Sequence, residues 1–214
     1  MKDEVRPLVE GLGTTAVMEN LSRRTFCRGS LAGHDVVVVS CGIGKVRAAA
    51  CAQLLIGRFG VEKLVFVGTA GALNPGLEVG DIVVSERTME WDLEAFGVEP
   101  RWYQADPVLV ETAVRAAERL GRRVNVGPVL SGDRPVMEEG HRGELRRRWG
   151  GECVEMEGAA LAHVCWMNEA SFVLIRAISD QAGEDMAREF VLSYADVAPL
   201  PGEVVLEMLR GLSR

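Results

Sequence analysis

The chain has 214 residues, of which 48% are hydrophobic and 26% charged, and its formal net charge is −7. This length supports one sizeable core, so we predict a single domain over residues 1–214. The composition excludes a disordered protein, and the negative charge disfavours a nucleic-acid partner. No stretch approaches the roughly 20 apolar residues of a membrane span, so we expect no membrane partner.

Short apolar runs alternate with amphipathic stretches in the first part of the chain. The predicted elements are a buried strand at Asp35–Ser40, a tight turn at Gly42–Gly44, a helix from Lys45 to Arg58, a strand at Lys63–Val67 and a turn at Gly68–Gly71. The same alternation continues to the C-terminus. There we predict strands at Asp81–Ser85, Val124–Leu130, Cys153–Glu157 and Phe172–Asp180, and helices at Pro107–Leu120, Ala159–Asn168 and from about Ala187 onward.

This alternation predicts an α/β fold, with a parallel or mixed central sheet covered by helices on both faces as a three-layer α/β/α arrangement. The five cysteines are odd in number and lack the spacing of a zinc or redox site, so we expect no metal. Free thiols and the absence of an apolar signal core in the first twenty residues predict a cytoplasmic protein.

Two acidic residues stand at the ends of predicted strands. Glu157 closes the strand that begins at Cys153, and Asp180 closes the strand that begins at Phe172. Ligands of open α/β sheets bind in the crevice beyond the carboxyl ends of the strands. Arg176 lies within the second strand and, by alternation, on the same face as Asp180. A buried guanidinium must meet an anion, so Arg176 either forms an ion pair within the sheet or lines a cavity.

Glu157 has two interpretations from the residues alone. Strand alternation puts Glu155 and Glu157 on one face with Met156 opposite, which favours a ligand contact. Glu157 also immediately precedes a predicted helix, where it could instead serve as an N-terminal cap.

The glycine-containing segments after the first two strands offer backbone for ligand contact. Gly42-Ile43-Gly44 lacks the third glycine of a dinucleotide site, because position 47 is Arg47, so a Rossmann site is disfavoured. Gly68–Gly71 provides close backbone approach and the hydroxyl of Thr69, although a simple turn explains the same residues.

Several segments together resemble one enzyme family along nearly the whole chain. They are Met1–Val5, Ser40–Val46, Gly68–Gly71, Val79–Ser85, Ala95–Gly97, Ser131–Asp133, Val154–Glu157 and Arg176–Asp180. In this order they resemble the methylthioadenosine/S-adenosylhomocysteine nucleosidases, within the superfamily of purine nucleoside and uridine phosphorylases. The resemblance implies a nucleoside phosphorylase-like fold, no cofactor, and a homodimer.

The resemblance also implies a mechanism for cleaving the N-glycosidic bond of a 5′-substituted adenosine. Asp180 would protonate the purine at N7, and Glu4 would polarise the attacking water. Thr69, in place of the family's serine, and Arg176 would hold that water. An aspartic acid also suits a 6-aminopurine, so adenine is the expected leaving base.

Further residues are implied to bind the purine nucleoside. Glu157 would accept hydrogen bonds from the ribose hydroxyls, and Met156 would pack beside the sugar. The backbone of Val136 would read the purine edge, Phe190 would contact the purine or the 5′ region, and Gly71 would bring backbone close to the ligand.

The carboxylate of Glu4 stands where related phosphorylases place an arginine, and it would repel phosphate, which favours hydrolysis. The alternatives are a phosphorylase of the same fold that acts on another adenosyl compound, or a nucleoside-binding protein without catalysis.

The chain departs from the family at several points. The family's opening apolar strand has no counterpart, because Met1–Glu4 is polar, so either the natural start lies upstream of Met1 or the sheet has lost a strand. Without that strand, Glu4 would be loosely positioned. Arg134-Pro135 replaces a stacking phenylalanine, and Thr88–Asp92 replaces a His-rich segment. The loop Val98–Tyr103, whose family counterpart shapes the 5′ pocket, is shortened.

Overall fold

The structure, a computed structural model, describes residues 1–93 and 100–212. Its strands are β1 (Val17–Leu21), β2 (Arg24–Leu31), β3 (His34–Val39), β4 (Lys63–Ala72), β5 (Ile82–Glu90), β6 (Tyr103–Gln104), β7 (Val124–Ser131), β8 (Cys153–Glu155) and β9 (Ser171–Asp180). Its helices are α1 (Lys2–Leu12), α2 (Lys45–Phe59), α3 (Pro107–Arg119), α4 (Glu139–Trp149), α5 (Gly158–Met167), α6 (Met186–Val197) and α7 (Leu200–Gly211). Among these residues, no helix is long and apolar enough to cross a membrane.

The strands form two sheets. Six strands form a mixed sheet in the order β6-β5-β7-β8-β4-β9, and β9 also pairs antiparallel with β5, so the sheet curls back on itself. The other three strands form an antiparallel sheet in the order β1-β2-β3. Helices cover the apolar faces of the mixed sheet, as the two main core clusters show. The predicted α/β class with a mixed central sheet is confirmed.

Several predicted boundaries are wrong, and two of them lie at the candidate site. Strand β4 continues through Gly68–Gly71, where a turn was predicted, because β9 pairs with it in parallel along that whole segment. Strand β8 ends at Glu155 instead of continuing to Glu157, and α5 begins directly afterwards at Gly158. The glycines of β4 therefore provide close packing within a strand instead of a turn.

The pairing of β4 with β9 positions the candidate site. Gly68 lies opposite Arg176 and, after a one-residue bulge, Gly71 lies opposite Asp180. The predicted residues of the two strands therefore meet at the same sheet edge. Helix α1 packs against β4 and brings Glu4 to that edge, where the carboxylate accepts a hydrogen bond from the backbone of Thr69.

Candidate active site

A cavity of about 1050 Å³ opens beyond the carboxyl ends of β3, β4, β8 and β9. It brings together all of the site residues that the sequence predicted, namely Glu4, Thr69, Gly71, Val136, Met156, Glu157, Arg176, Asp180 and Phe190. These residues come from six separate segments of the chain, and the fold alone makes them neighbours.

The carboxyl group of Asp180 is held at the end of β9 and is only 4% exposed. The backbone N–H of Ala182 donates to Oδ1 at 2.9 Å, and the hydroxyl of Ser179 donates to Oδ2 at 2.7 Å. Burial raises the pKa of Asp180, while these two hydrogen bonds partly offset the increase. Asp180 therefore retains a proton to higher pH than an ordinary aspartic acid, which suits a proton donor.

The carboxylate of Glu157 does not cap α5, although the residue occupies the N-cap position. Its Oε1 instead accepts a hydrogen bond of 2.6 Å from the backbone N–H of Gly44. Gly44 has a φ of 104°, which favours glycine, and this turn points its N–H at the carboxylate. Burial and the nearby charge of Glu155 raise the pKa of Glu157. The predicted cap is therefore wrong, and Glu157 lies at the cavity wall.

Glu155 holds this part of the site together. Its carboxylate accepts hydrogen bonds from Arg176 Nη2 at 2.6 Å, from the hydroxyl of Ser131, and from the backbone N–H groups of Glu157 and Gly158. Because β8 ends at Glu155, the predicted shared strand face of Glu155 and Glu157 is wrong, and the two carboxylates have different partners. The role of Glu155 is not evident from the sequence, although the buried arginine indicates that an acid must lie nearby.

Arg176 forms the ion pair within the sheet and also lines the cavity, so both sequence interpretations hold. Its guanidinium lies 4.3 Å from the centre of the Phe66 ring, and its Nε has no hydrogen-bond partner among the described residues. A Cβ at Gly68 would lie 2.2 Å from Arg176 Nη1 and 3.5 Å from Glu4 Oε1. Because Gly68 has no side chain, the guanidinium of Arg176 and the carboxylate of Glu4 can both approach the space beside its Cα.

Glu4 is buried in α1, which contradicts the expectation of loose positioning. Its Oε1 accepts a hydrogen bond of 3.2 Å from the backbone N–H of Thr69 and lies 3.5 Å from the Thr69 hydroxyl. Its Oε2 contacts the α-amino group of Met1, whose pKa is lowered by burial.

The cavity is also lined by Arg134, Pro135 and Val136, which follow β7, and by Phe190 of α6. Val136 is buried, whereas Arg134 and Pro135 are exposed at the position where the family has a stacking phenylalanine. The motif residues Ala95–Gly97 and the start of the shortened loop lie outside the described residues.

Lys45, which was not predicted, links the turn after β3 to acidic residues at or just after the ends of β5 and β7. Its ammonium group lies 2.5 Å from Asp92, 3.2 Å from Glu90 and 3.6 Å from Asp133. Lys45 follows Gly44, whereas Asp133 precedes the Arg134–Val136 segment. The acids of the divergent Thr88–Asp92 segment therefore anchor the turn that contacts Glu157.

The fold and the converging carboxylates define a protein of the phosphorylase superfamily, whose sequence pattern matches residues 1–210. The 5′-methylthioadenosine/S-adenosylhomocysteine nucleosidase of Geobacillus kaustophilus is 38% identical, covering 98% of this chain and 93% of the relative. The aminodeoxyfutalosine nucleosidase of Campylobacter jejuni is 29% identical, covering 99% and 96%.

A solved structure gives the same result in three dimensions. The 5′-methylthioadenosine/S-adenosylhomocysteine nucleosidase of Neisseria meningitidis, in complex with methylthio-immucillin-A, superimposes with a TM-score of 0.94 at 33% identity, covering 99% of this chain and 96% of that one. The chain belongs to the methylthioadenosine/S-adenosylhomocysteine nucleosidase family.

Proposed function

We propose that this protein hydrolyses the N-glycosidic bond of methylthioadenosine or S-adenosylhomocysteine and releases adenine. The observation that carries the proposal is the arrangement around one cavity of a buried Asp180, whose pKa is raised, and the separately held carboxylates of Glu4 and Glu157. N-glycoside hydrolysis requires an acid that protonates the leaving purine, a base that activates water, and a hydrogen-bond acceptor for the sugar hydroxyls.

Asp180 acts as the general acid in this proposal. As the C1′–N9 bond breaks, electrons move into the purine, and protonation at N7 neutralises the leaving base. Burial raises the pKa of Asp180, which favours the protonated form that this step requires. The hydrogen bonds from Ser179 and Ala182 then stabilise the carboxylate that remains after proton transfer.

Glu4 acts as the base that orients and deprotonates the attacking water. Thr69 fixes one carboxylate oxygen of Glu4, and Arg176 Nη1 lies beside the same point over Gly68. Because Glu155 already pairs with Arg176, the arginine is held in one orientation by a second charged group. Glu157 accepts hydrogen bonds from the ribose hydroxyls, and Met156 packs beside the sugar.

Hydrolysis is favoured over phosphorolysis by the charges near the water position. A phosphate dianion there would face the carboxylate of Glu4, and Glu155 already offsets the charge of Arg176. A phosphorylase needs uncompensated cations at this place.

An adenine-release assay in phosphate-free buffer tests the proposal, with methylthioadenosine, S-adenosylhomocysteine and aminodeoxyfutalosine as parallel substrates. We expect release of adenine and a free sugar, at a rate that added phosphate does not increase. Strict dependence on phosphate, with a sugar 1-phosphate as product, would contradict hydrolysis. Binding of adenosine without turnover would contradict any catalytic role.

We also infer a homodimer in the cytoplasm. The packed helices α2 and α5 expose apolar side chains that a second copy could cover, namely Val46 on α2 (83% exposed) and Trp166 (50%) and Met167 (67%) on α5. The five cysteines are all free thiols, as in a reducing compartment. Analytical ultracentrifugation of the wild type and of Met167→Lys tests the dimer. A monomeric wild type, or an unchanged dimer in the variant, would contradict this interface.

A further inference from the structure

Lys45 is the first residue of helix α2, which is an unfavourable position for a positive charge. The helix dipole places partial positive charge at the N-terminus, so a cation there destabilises the helix. The first turn of α2 contains no acidic residue, and no side chain of the described residues caps it. Lys45 therefore depends on counter-charges from outside its helix, and its location points to a role other than helix stability.

Three carboxyl groups surround the ammonium of Lys45. Nζ lies 2.5 Å from Asp92 and 3.2 Å from Glu90, whose side chains are only 20% and 15% exposed, and 3.6 Å from the exposed Asp133. Burial alone would lower the pKa of Lys45, but its hydrogen bonds to Asp92 and Glu90 outweigh burial, so the pKa is raised and the side chain stays charged. Because water has little access to these pairs, salt screens them less than surface ion pairs.

The acids are held by the paired ends of β5 and β7. Glu90 is the last residue of β5 and lies opposite Ser131 of β7. The next residue, Trp91, donates its backbone N–H to the carbonyl of Ser131 at 3.1 Å. Oδ2 of Asp92 accepts a 2.6 Å hydrogen bond from the backbone N–H of Asp133. Backbone that is held by strand pairing opens only at high free energy, so these acids form a firm anchor for the lysine.

The turn before Lys45 has little rigidity of its own. Gly42 has a φ of 79° and Gly44 a φ of 104°, and glycine has the most backbone freedom of any residue. The N–H of Gly44 nevertheless makes a specific contact, a 2.6 Å hydrogen bond to Oε1 of Glu157. Side chains of a helix lean toward its N-terminus, so the side chain of Lys45 reaches back toward this turn. The ammonium therefore tethers the turn to the ends of β5 and β7.

The hydrogen bond from Gly44 matters for how Glu157 meets a ligand. Glu157 occupies the N-cap position of α5 without capping it, so its own helix does not fix the carboxylate. Burial and the nearby charge of Glu155 raise the pKa of Glu157, and the hydrogen bond from Gly44 opposes that increase. A displaced turn would leave Glu157 less well oriented and a weaker acceptor.

We propose that Lys45 is a positioning residue for the sugar of the substrate. Held by Asp92 and Glu90, Lys45 fixes the Gly42–Gly44 turn, and the N–H of Gly44 then orients Glu157 toward the ribose hydroxyls. This inference rests on the proposed function, which assigns the sugar contact to Glu157. Its consequence is that Lys45 matters for nucleosides that carry those hydroxyls and not for nucleosides that lack them.

Lys45→Met tests this role, because methionine keeps much of the side-chain length and removes the charge. The value of kcat/KM for adenine release is measured with methylthioadenosine and with its 2′,3′-dideoxy analogue. We expect a loss of about 10- to 100-fold with methylthioadenosine, the scale of a misplacement of about 1 Å at a positioning group. With the dideoxy analogue the loss should stay below about threefold, because the two changes remove the same interaction. Equal losses with both substrates, or no loss with methylthioadenosine, would overturn the proposal.

A double variant tests whether the effect of Lys45 passes through Glu157. When Glu157→Gln is already present, adding Lys45→Met should change kcat/KM by less than about threefold. Losses that simply multiply would overturn the proposal, since Lys45 would then act elsewhere. Arg115→Met on α3 is the matched control, because it removes a cation from an exposed ion pair with Glu111. That variant should keep the wild-type kcat/KM.

A second variant covers the case in which Lys45→Met does not fold. Asp92→Asn keeps the shape of the side chain and removes the acid nearest the ammonium. We expect the same selective loss with methylthioadenosine, and an equal loss with the dideoxy analogue would overturn the proposal.

Binding separates this inference from the proposed function. In an Asp180→Asn background, calorimetry should show that Lys45→Met weakens methylthioadenosine by about tenfold or more, the scale of a hydrogen bond to a charged group, and leaves the dideoxy analogue unchanged. If this difference persists in a protein whose wild type releases no adenine, the proposed hydrolysis fails and the role of Lys45 stands. Equal weakening of both ligands would overturn the role of Lys45 whatever the turnover, and the absence of any nucleoside binding would overturn both.

Discussion

The substitution Gly71→Ala tests whether the position of Asp180 limits catalysis. Gly71 lies in β4 opposite Asp180 and does not have a positive φ, so alanine fits its backbone. A Cβ at Gly71 would lie 2.7 Å from Asp180 Oδ1 and 2.9 Å from the Cβ of Ala182. The added methyl group therefore pushes on the proposed acid and on the residue whose N–H fixes it.

The size of the displacement follows from these distances. An ordinary contact begins at 3.4 Å, so Oδ1 must retreat by about 0.7 Å, which strains its 2.9 Å hydrogen bond from Ala182. A misplacement of about 1 Å at a reacting group can cost about a hundredfold in rate. We expect kcat to fall roughly 10- to 100-fold, or about 1.4 to 2.7 kcal/mol in activation free energy.

Steady-state adenine release from methylthioadenosine measures the effect. KM should change little, because the added methyl group meets Asp180 and Ala182 and not the proposed sugar acceptor Glu157. Gly143→Ala in α4 is the matched control, since a Cβ there has nothing within 4 Å. That variant should keep its kcat and gain about 0.5–1 kcal/mol in stability, because it replaces glycine within a helix.

A kcat within twofold of wild type for Gly71→Ala would refute the reasoning, provided that the variant is folded. Either Asp180 would not be the acid, or its position would tolerate the shift. A large rise in KM with normal kcat would also count against it, because the methyl group would then be blocking the substrate.

Three further perturbations test the roles of individual groups. Asp180→Asn should leave the Tm nearly unchanged and reduce kcat by on the order of a hundredfold or more, the scale of a lost general acid, and near-normal adenine release would defeat the assignment. Ser179→Ala removes a hydrogen-bond donor that stabilises the carboxylate of Asp180, so the pKa of Asp180 should rise further. Asp180 should then stay protonated to higher pH, and the alkaline limb of the kcat/KM profile should move to higher pH. A shift to lower pH would contradict the proposed hydrogen bond. Glu155→Gln leaves Arg176, which is only 1% exposed, without its counter-charge. Urea titration should then show a loss of about 3–5 kcal/mol in the free energy of unfolding. A loss below about 1 kcal/mol would show that the ion pair is not needed.

The sequence identified the acids but not all of their neighbours. Asp180 and Glu157 stand at the ends of apolar runs, and Arg176 stands inside one, which is enough to predict a polar site at a sheet edge. Glu155 and Lys45 were missed, because their roles depend on partners 21 and 47 residues away in the sequence. Local pattern has no information on which of several acids an arginine or lysine will meet.

The turn prediction at Gly68–Gly71 was wrong for a related reason. Two glycines within four residues favour a turn locally, but pairing with β9 holds this segment extended. The glycines are needed because the guanidinium of Arg176 and the carboxyl of Asp180 occupy the space that side chains would fill.

The sequence by itself determined the α/β class, the family and nine of the residues that line the cavity, because apolar periodicity and short motifs are local properties of the chain. Only the tertiary structure decided how those residues act on one another. It buried Asp180 beside Ser179, turned Glu157 toward Gly44 and paired Arg176 with Glu155.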